Sequence, residues 1–505
     1  MNGKLNSILN HAVQILLEVY LFILCTVFPL YVGEGKYRLI AYNKYGLFKY
    51  SSWIMIGVFL VLFLLRFILE KRVAFRLRKT DIPVVLYLIS LMISYWFAVD
   101  REEAFNGASG WFVGFLPSLT MIVIFFIYSR YFHWHKRQLL YPFLGSFGVI
   151  LLCVLNRFRI AQIDPENYIT TFISTIGNIN WIASYLAVLV PLFTGIYLSG
   201  IVQKKMYRAL FLVWLLAGDL ALLTNGSNSI WLFVPVLFVF MGLFGLTDRE
   251  IMKRVWIWVL LFGLACLFLH TTRYIYGEEE FYKILGDEYN LAVKLTSLVF
   301  CIPVIIVSAV FLYVLKKNTH LDMSAQNGYR ILSVLSYTGL ALIVLLVILQ
   351  STGILTLEDT FGHNRGFLWR ISAEFYRDLP MYRKWIGVGP DCFGWSTIND
   401  WDMLMKVQEY YPNMRITNAH SEPLTMLVNL GICGTASYLL MISVFVHQLL
   451  EKKGRFLAVI LLPLVCYHVN NLTSFRLIIS EPYIFLLMSL LYAYLYSGTG
   501  EESTI

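Results

Sequence analysis

The chain carries little charge for its length. Only 14% of its 505 residues are Asp, Glu, Lys or Arg, whereas 58% are hydrophobic. A soluble protein of this size needs more charged residues to cover its surface. Apolar runs of roughly 20 residues recur along the whole chain, which is typical of membrane-spanning helices. We therefore predict an all-α polytopic membrane protein with about fourteen transmembrane helices and short connections.

The sequence also lacks a metal-binding or disulfide pattern. Its seven cysteines are scattered, mostly inside apolar runs, and no CxxC pair or metal-ligand spacing occurs. Most of these cysteines are expected to be small buried hydrophobic residues. Neither a metal site nor a cofactor is predicted. Heptads, solenoid repeats and two-half symmetry are also missing.

Lys and Arg are rare on one side of the predicted membrane and frequent on the other. The net charge is +9, and the cations concentrate in alternate loops, for example at 71–79, 204–208 and 452–455. Such loops mark the cytoplasmic side. We therefore predict a protein of the cell (cytoplasmic) membrane with both termini in the cytoplasm. The basic excess is then an orientation signal, and nucleic acid is not expected as a partner.

One long polar loop interrupts this pattern and divides the chain. Residues 1–352 are predicted to form transmembrane helices 1–11, and residues 353–421 an outward-facing loop with short helices. Residues 422–505 are predicted to form helices 12–14 and a short cytoplasmic tail. Loops of this length are usually functional, so any chemistry is expected here.

Arginines stand on a predicted helix of the loop. Residues 361–379 show apolar spacing typical of a helix. Arg365 lies in its first turn, where free N–H groups and the helix dipole favour an anion and a guanidinium adds bidentate contact. Arg370, Glu374 and Arg377 share one face, which fits either a ligand contact or intrahelical ion pairs.

Polar residues flank other predicted helices on the same outward side. His420 precedes a helix expected to begin near Glu422, and is either a general base or a membrane-interface histidine without a role. Asn178 and Asn180 lie at the start of another predicted helix. Ser227 and Asn228 lie in a tight turn, and helix caps or turns are the alternative explanation for these four residues.

Four segments, taken in order, resemble the O-antigen ligase/O-antigen polymerase superfamily of bacterial envelope proteins. They are GNIN at 177–180, LLTNGSNSIWL at 222–232, NRGFLW with IGVGPDCFG at 364–394, and NAHSEPLTMLVNLGICG at 418–434. Two departures are present. Asn228 follows Ser227 where the family usually has arginine, and Ser421 follows His420 where the family has asparagine.

The resemblance implies a metal-independent, inverting membrane glycosyltransferase of GT-C-like architecture. Its donor would be a glycan on a polyprenyl diphosphate, and its acceptor a glycan or lipid-glycan hydroxyl. On this pattern His420 is the base and Arg365 holds the diphosphate. Substrate contacts are expected from the residues Arg370, Asn178, Asn180, Ser227, Asn228 and Arg273. Arg157, Arg159, Arg273 and Arg476 are the candidates for replacing the arginine expected after Ser227.

Two other functions compete with this interpretation. A lipid-linked oligosaccharide flippase or other multi-span transporter would place charged residues deep within its spans, whereas Asp219 and Lys294 lie near predicted helix ends. A membrane sensor or scaffold is the third possibility, but no soluble signalling domain is recognisable. Ligase and polymerase share the same donor chemistry and are not distinguished by the sequence.

Overall fold

In the computed structural model the described residues are mostly helical and include one two-stranded hairpin. It describes residues 2–70, 78–165, 170–317, 358–452 and 456–496, together with 327, 328, 331 and 454. The helices before the long loop are α1 Asn2–Phe22, α2 Phe28–Leu30, α3 Ile40–Glu70, α4 Ile82–Trp96, α5 Arg101–Asn106, α6 Phe115–Tyr131, α7 Leu140–Arg157, α8 Ile179–Ser199, α9 Lys205–Thr224, α10 Ile230–Gly245, α11 Arg249–Tyr276, α12 Glu278–Leu285, α13 Leu291–Leu295 and α14 Leu298–Lys317. The remaining helices are α15 Phe361–Asp378, α16 Met381–Ile386, α17 Phe393–Asn399, α18 Trp401–Tyr410, α19 Glu422–Lys452, α20 Phe456–Asn470 and α21 Glu481–Tyr496.

Eight of the helical segments in the described residues are long and apolar enough to cross a membrane, and three shorter apolar helices accompany them. The shorter ones are α6, α10 and α20. The predicted spans near Leu91 and Met488 correspond to α4 and α21, which have 15 and 16 residues. The span predicted near Leu342 lies outside the described residues. A helical membrane protein is therefore confirmed, whereas the predicted total of about fourteen spans is not.

Helix α8 forms the centre of the bundle. In an 18-residue apolar stretch of this helix, 94% of the residues are buried. Other helices therefore surround α8, as is typical of a helix that is apolar on all sides. It packs closely on α20, because a Cβ at Gly195 would lie only 2.5 Å from the carbonyl oxygen of Ala458. The hairpin of β1 Phe172–Ile173 and β2 Gly177–Asn178 leads directly into α8.

The glycine-rich turn between α16 and α17 lies with its backbone against α19. Val388 N donates to Val428 O at 3.0 Å, and Gly389 N donates to Asn429 O at 3.0 Å. A Cβ at Gly387 would lie 2.2 Å from Asn429 O, so no side chain fits there. Gly431 inside α19 has φ 65° and faces the backbone of Trp385 just as closely. The glycines therefore allow the two backbones to approach closely, because no Cβ lies between them.

A buried carboxylate fixes the same turn to the connection between α5 and α6. Asp391 Oδ2 accepts hydrogen bonds from Ala108 N at 2.7 Å and Val113 N at 3.3 Å. Burial raises the pKa of Asp391 to about 7, against the lowering effect of these two donors. The long loop is thus held against the helical bundle at two places.

Candidate functional site

A polar cavity of about 360 Å³ lies where the long loop meets the bundle. Its walls come from four widely separated stretches of chain: the end of α7 with the start of α8, the turn after α9, the segment after α12, and the long loop. The lining residues are Arg157, Thr170, Thr171, Ile179, Asn180, Gly226, Ser227, Asn228, Gly286, Asp287, Gly362, Arg365, Leu368, Tyr411 and His420. Five of the eight residues predicted for the site therefore share one cavity: His420, Arg365, Asn180, Ser227 and Asn228.

His420 has an unusual backbone conformation that local contacts hold in place. Its φ is 47°, in the left-handed region, which is costly for a non-glycine residue and is often found at functional sites. Its backbone N–H donates to Asn418 Oδ1 at 2.9 Å, and its carbonyl accepts from Trp369 Nε1 at 3.3 Å. The imidazole meets the Phe475 ring edge-on, with centroids 5.1 Å apart.

The His420 ring is neutral at physiological pH. Burial disfavours the charged imidazolium and the nearby Arg365 cation repels it, so the pKa of His420 is lowered to about 3. A neutral imidazole keeps one ring nitrogen free to accept a proton.

Arg365 follows an irregular start of α15. Gly362 and Asn364 have φ values of 59° and 65°, so the backbone before Arg365 departs from the regular first turn that the sequence pattern predicts. Burial lowers the pKa of the Arg365 guanidinium, and the neighbouring Tyr411 opposes this shift. The residue nevertheless remains a cation at neutral pH because an arginine pKa is so high.

Arg157 joins two walls of the cavity. Its side chain is buried and donates to Thr224 O at 2.7 Å, to Thr170 O at 3.0 Å and to Asn225 O. None of these three acceptors carries a charge. Of the four arginines considered as replacements for the one expected after Ser227, Arg157 is the one that lines the cavity.

The turn after α9 is held by its own side chains. Ser227 Oγ donates to Asn180 Oδ1 at 2.6 Å, and Ser227 N donates to Asn225 Oδ1 at 3.0 Å. Gly226, with φ 86°, lies against Gly286, where a Cβ would come within 2.5 Å of the Gly226 Cα. The two glycines allow the turn and the segment after α12 to meet at the cavity wall.

Three residues predicted to bind substrate lie outside the cavity lining. Asn178 caps α8, where its side chain accepts from Asn180 N at 2.8 Å. Arg370 pairs with Asp359 at 2.6 Å and with Glu374 at 3.1 Å. Arg273 pairs with Glu278. For Asn178 and Arg370, the alternatives left open by the sequence, a helix cap and an ion pair, describe their contacts.

The other two replacement candidates are also paired elsewhere. Arg159 contacts Glu280 at 3.1 Å, and Arg476 is buried against Glu422 at 2.5 Å.

Several residues of the cavity carry no recognisable signal in the sequence. Thr170, Thr171, Asp287 and Tyr411 line it, yet each lies in a connection without a recognisable motif. Asp287 lies in a segment that is rich in acidic residues, Glu278, Glu279, Glu280, Asp287 and Glu288, and this composition alone does not indicate a site. Among the described ranges, no group of three or more His, Cys, Asp or Glu side chains is arranged to hold a metal ion.

Residues 291–439 match the family model described as O-antigen ligase. The matched region contains Arg365, His420 and the glycine-rich turn, and it confirms the predicted resemblance to the O-antigen ligase superfamily. No curated protein and no solved structure matches the chain.

Proposed function

Starting from this family match, we propose that the protein is an O-antigen ligase-like membrane glycosyltransferase that works in glycan assembly. It transfers a glycan from a polyprenyl diphosphate to a hydroxyl of a glycan or lipid-glycan acceptor, on the outer face of the cytoplasmic membrane. The observation that carries the proposal is the shared cavity of His420 and Arg365. The proposal covers ligase and polymerase alike, because they differ only in the acceptor.

In the proposed reaction His420 acts as the general base. Its neutral imidazole takes the proton from the acceptor hydroxyl while that oxygen attacks the anomeric carbon of the donor. The bond between this carbon and the diphosphate oxygen breaks in the same step, and the lipid diphosphate leaves with the bonding electrons. A single displacement of this kind inverts the anomeric configuration.

Arg365 stabilises the leaving diphosphate. Fixed cations in a partly desolvated cavity favour the negative charge that develops in the transition state. The planar guanidinium can contact two phosphate oxygens at once. Arg157 places a second guanidinium in the cavity lining, and we assign to it the role of the arginine that is missing after Ser227.

Donor binding and base strength are coupled in this arrangement. Burial is the main cause of the lowered pKa of His420, and the Arg365 cation lowers it further. A bound diphosphate neutralises that cation, so the pKa of His420 rises when the donor is present. The base therefore becomes stronger once the leaving group is in place.

Other polar side chains of the cavity suit sugar hydroxyls. Asn180, Ser227, Asn228 and Asp287 are among its lining residues, and amide, hydroxyl and carboxylate oxygens accept hydrogen bonds from hydroxyl groups.

The test is transfer by the purified protein in lipid nanodiscs, with a synthetic polyprenyl-diphosphate glycan and a panel of glycan acceptors. We expect a new glycosidic product and free lipid diphosphate, equally in EDTA and in magnesium. His420→Ala should lower the rate at least a hundredfold, the usual minimum contribution of a general base, at unchanged protein yield. Transfer by His420→Ala at the wild-type rate would exclude the proposed base, and chelator-sensitive transfer would exclude the metal-independent mechanism.

A further inference from the structure

A buried ion pair forms at the start of α19, two residues after His420 in the chain. The carboxylate of Glu422 accepts from Arg476 Nε at 2.5 Å and from the Arg476 backbone N–H at 2.9 Å. Glu422 N in turn donates to Asn471 O at 2.8 Å. Glu422 and Arg476 are each 6% exposed. Three hydrogen bonds thus join the start of α19 to the segment between α20 and α21.

That segment carries the ring against which His420 rests. Phe475 precedes Arg476 in the chain and meets the His420 imidazole at 85° with centroids 5.1 Å apart. On another side Phe475 contacts Trp111 at 4.4 Å. The His420 ring is therefore placed by Phe475, whose backbone position is fixed through Arg476.

The ion pair is anchored to the bundle as well. Arg476 Nη1 donates to Tyr87 OH on α4 at 2.9 Å and lies 3.6 Å from Glu481 on α21. Glu481 also accepts from Tyr467 OH on α20 at 2.7 Å. Charged groups buried in this way require well-formed partners, because an uncompensated buried charge is costly. The start of α19 is thus tied through these contacts to α4, α20 and α21.

Neither member of the pair reaches the cavity. Glu422 and Arg476 are not among its lining residues, and Glu422 instead lines a separate, smaller pocket together with Pro423 and Asn471. The left-handed backbone of His420, with φ 47°, persists only where the surroundings over-determine it. The pair and Phe475 are part of those surroundings.

We propose that Glu422 and Arg476 are positioning residues for His420: their buried pair fixes Phe475, and Phe475 fixes the imidazole toward the cavity. The expected effect on the transfer rate rests on the glycosyl transfer proposed above. The expected effect on the position of the His420 ring rests on the geometry alone.

Glu422→Gln and Phe475→Leu test the proposal in the full-length protein in nanodiscs. Glutamine keeps the shape of Glu422 and removes its charge, and leucine keeps an apolar contact and removes the ring. We expect each variant to lower kcat at least fivefold while the KM for the polyprenyl-diphosphate donor changes less than twofold. Glu103→Gln is the matched control, because Glu103 pairs with Arg415 in an exposed contact away from the cavity, and its kcat should stay within twofold of wild type.

A second readout does not depend on transfer. Diethyl pyrocarbonate modifies accessible neutral imidazoles, and its rate at His420 can be followed by peptide mass spectrometry. We expect the rate at His420 to rise at least twofold in both variants and to remain unchanged in Glu103→Gln.

An unchanged modification rate in both variants overturns the positioning role, whether or not kcat falls. An unchanged kcat in both variants also overturns it. If the wild-type protein transfers no glycan, the proposed function fails, while the modification rates still decide the positioning role. Phe475→Leu carries the test alone if Glu422→Gln does not accumulate in the membrane.

Discussion

At the scale of the residue, chemistry depends on which neighbour each side chain meets. Arg365 and Arg370 lie on the same helix, yet Arg365 lines the cavity while Arg370 binds Asp359 and Glu374. The sequence showed the i, i+4 partner Glu374, but Asp359 lies before the helix and its contact depends on how the chain enters α15. Asn178 and Asn180 differ in the same way, because one caps α8 and the other lines the cavity.

Replacing Arg365 by lysine tests the need for a planar cation. Lysine keeps the charge but cannot make two parallel contacts to a diphosphate. We expect the KM for the donor to rise about tenfold, which corresponds to about 1.4 kcal/mol. Arg377→Lys on the same helix is the control, since Arg377 is exposed and pairs with Asp378. Equal donor KM values for the two variants in the nanodisc assay would contradict the assigned role.

At the scale of the element, the sequence indicated turns and helix starts but not what they touch. Three glycines and a proline at 386–394 indicate a compact turn, but its backbone contacts with α19 lie 40 residues further along the chain, where Val388 pairs with Val428. Helix α18 was not predicted individually, although Asp400 caps it and Met403 and Val407 form its buried face. Such contacts over long sequence distances are not encoded in local spacing.

Asp391 should be important for attachment of the loop. Alanine at this position leaves the N–H groups of Ala108 and Val113 without their acceptor and adopts φ 58° poorly. We expect Asp391→Ala to lower the free energy of unfolding by about 2–4 kcal/mol. Asp391→Asn should cost less than about 1 kcal/mol, because asparagine tolerates the left-handed region and retains an oxygen acceptor.

Thermal unfolding in detergent compares the two Asp391 variants. A melting temperature lowered equally by alanine and asparagine would show that the carboxylate charge, rather than its acceptor role and backbone conformation, holds the turn.

At the scale of the whole molecule, composition predicted a helical membrane protein and charge predicted its orientation. Neither could predict which helices lie at the centre, because hydropathy does not identify them: the buried α8 is less apolar than α3 and α14, which are mostly exposed on the bundle surface. Small residues such as Gly195 allow neighbouring helices to pack closely against α8. The contact of Gly195 with α20 forms only in the complete bundle. The cavity likewise combines stretches that share no local pattern.

The predicted orientation can be tested with single cysteines in a Cys433→Ser background, since Cys433 is the exposed one among the seven native cysteines. Trp401→Cys, on the exposed face of the loop, should react with an impermeant maleimide in intact cells. Lys316→Cys, at the end of α14, should react only after the membrane is permeabilised. Labelling of Lys316→Cys but not Trp401→Cys in intact cells would reverse the proposed topology.

The scattered origin of the cavity walls has a consequence during biosynthesis. Asn180 and Ser227 leave the ribosome long before His420, and the ring supporting His420 comes later still, at Phe475. A nascent chain that ends before the long loop therefore carries Asn180 and Ser227 but lacks Arg365 and His420. On the proposed function such a chain has no base, so lipid-linked donors are not turned over until the C-terminal helices have been inserted and folded.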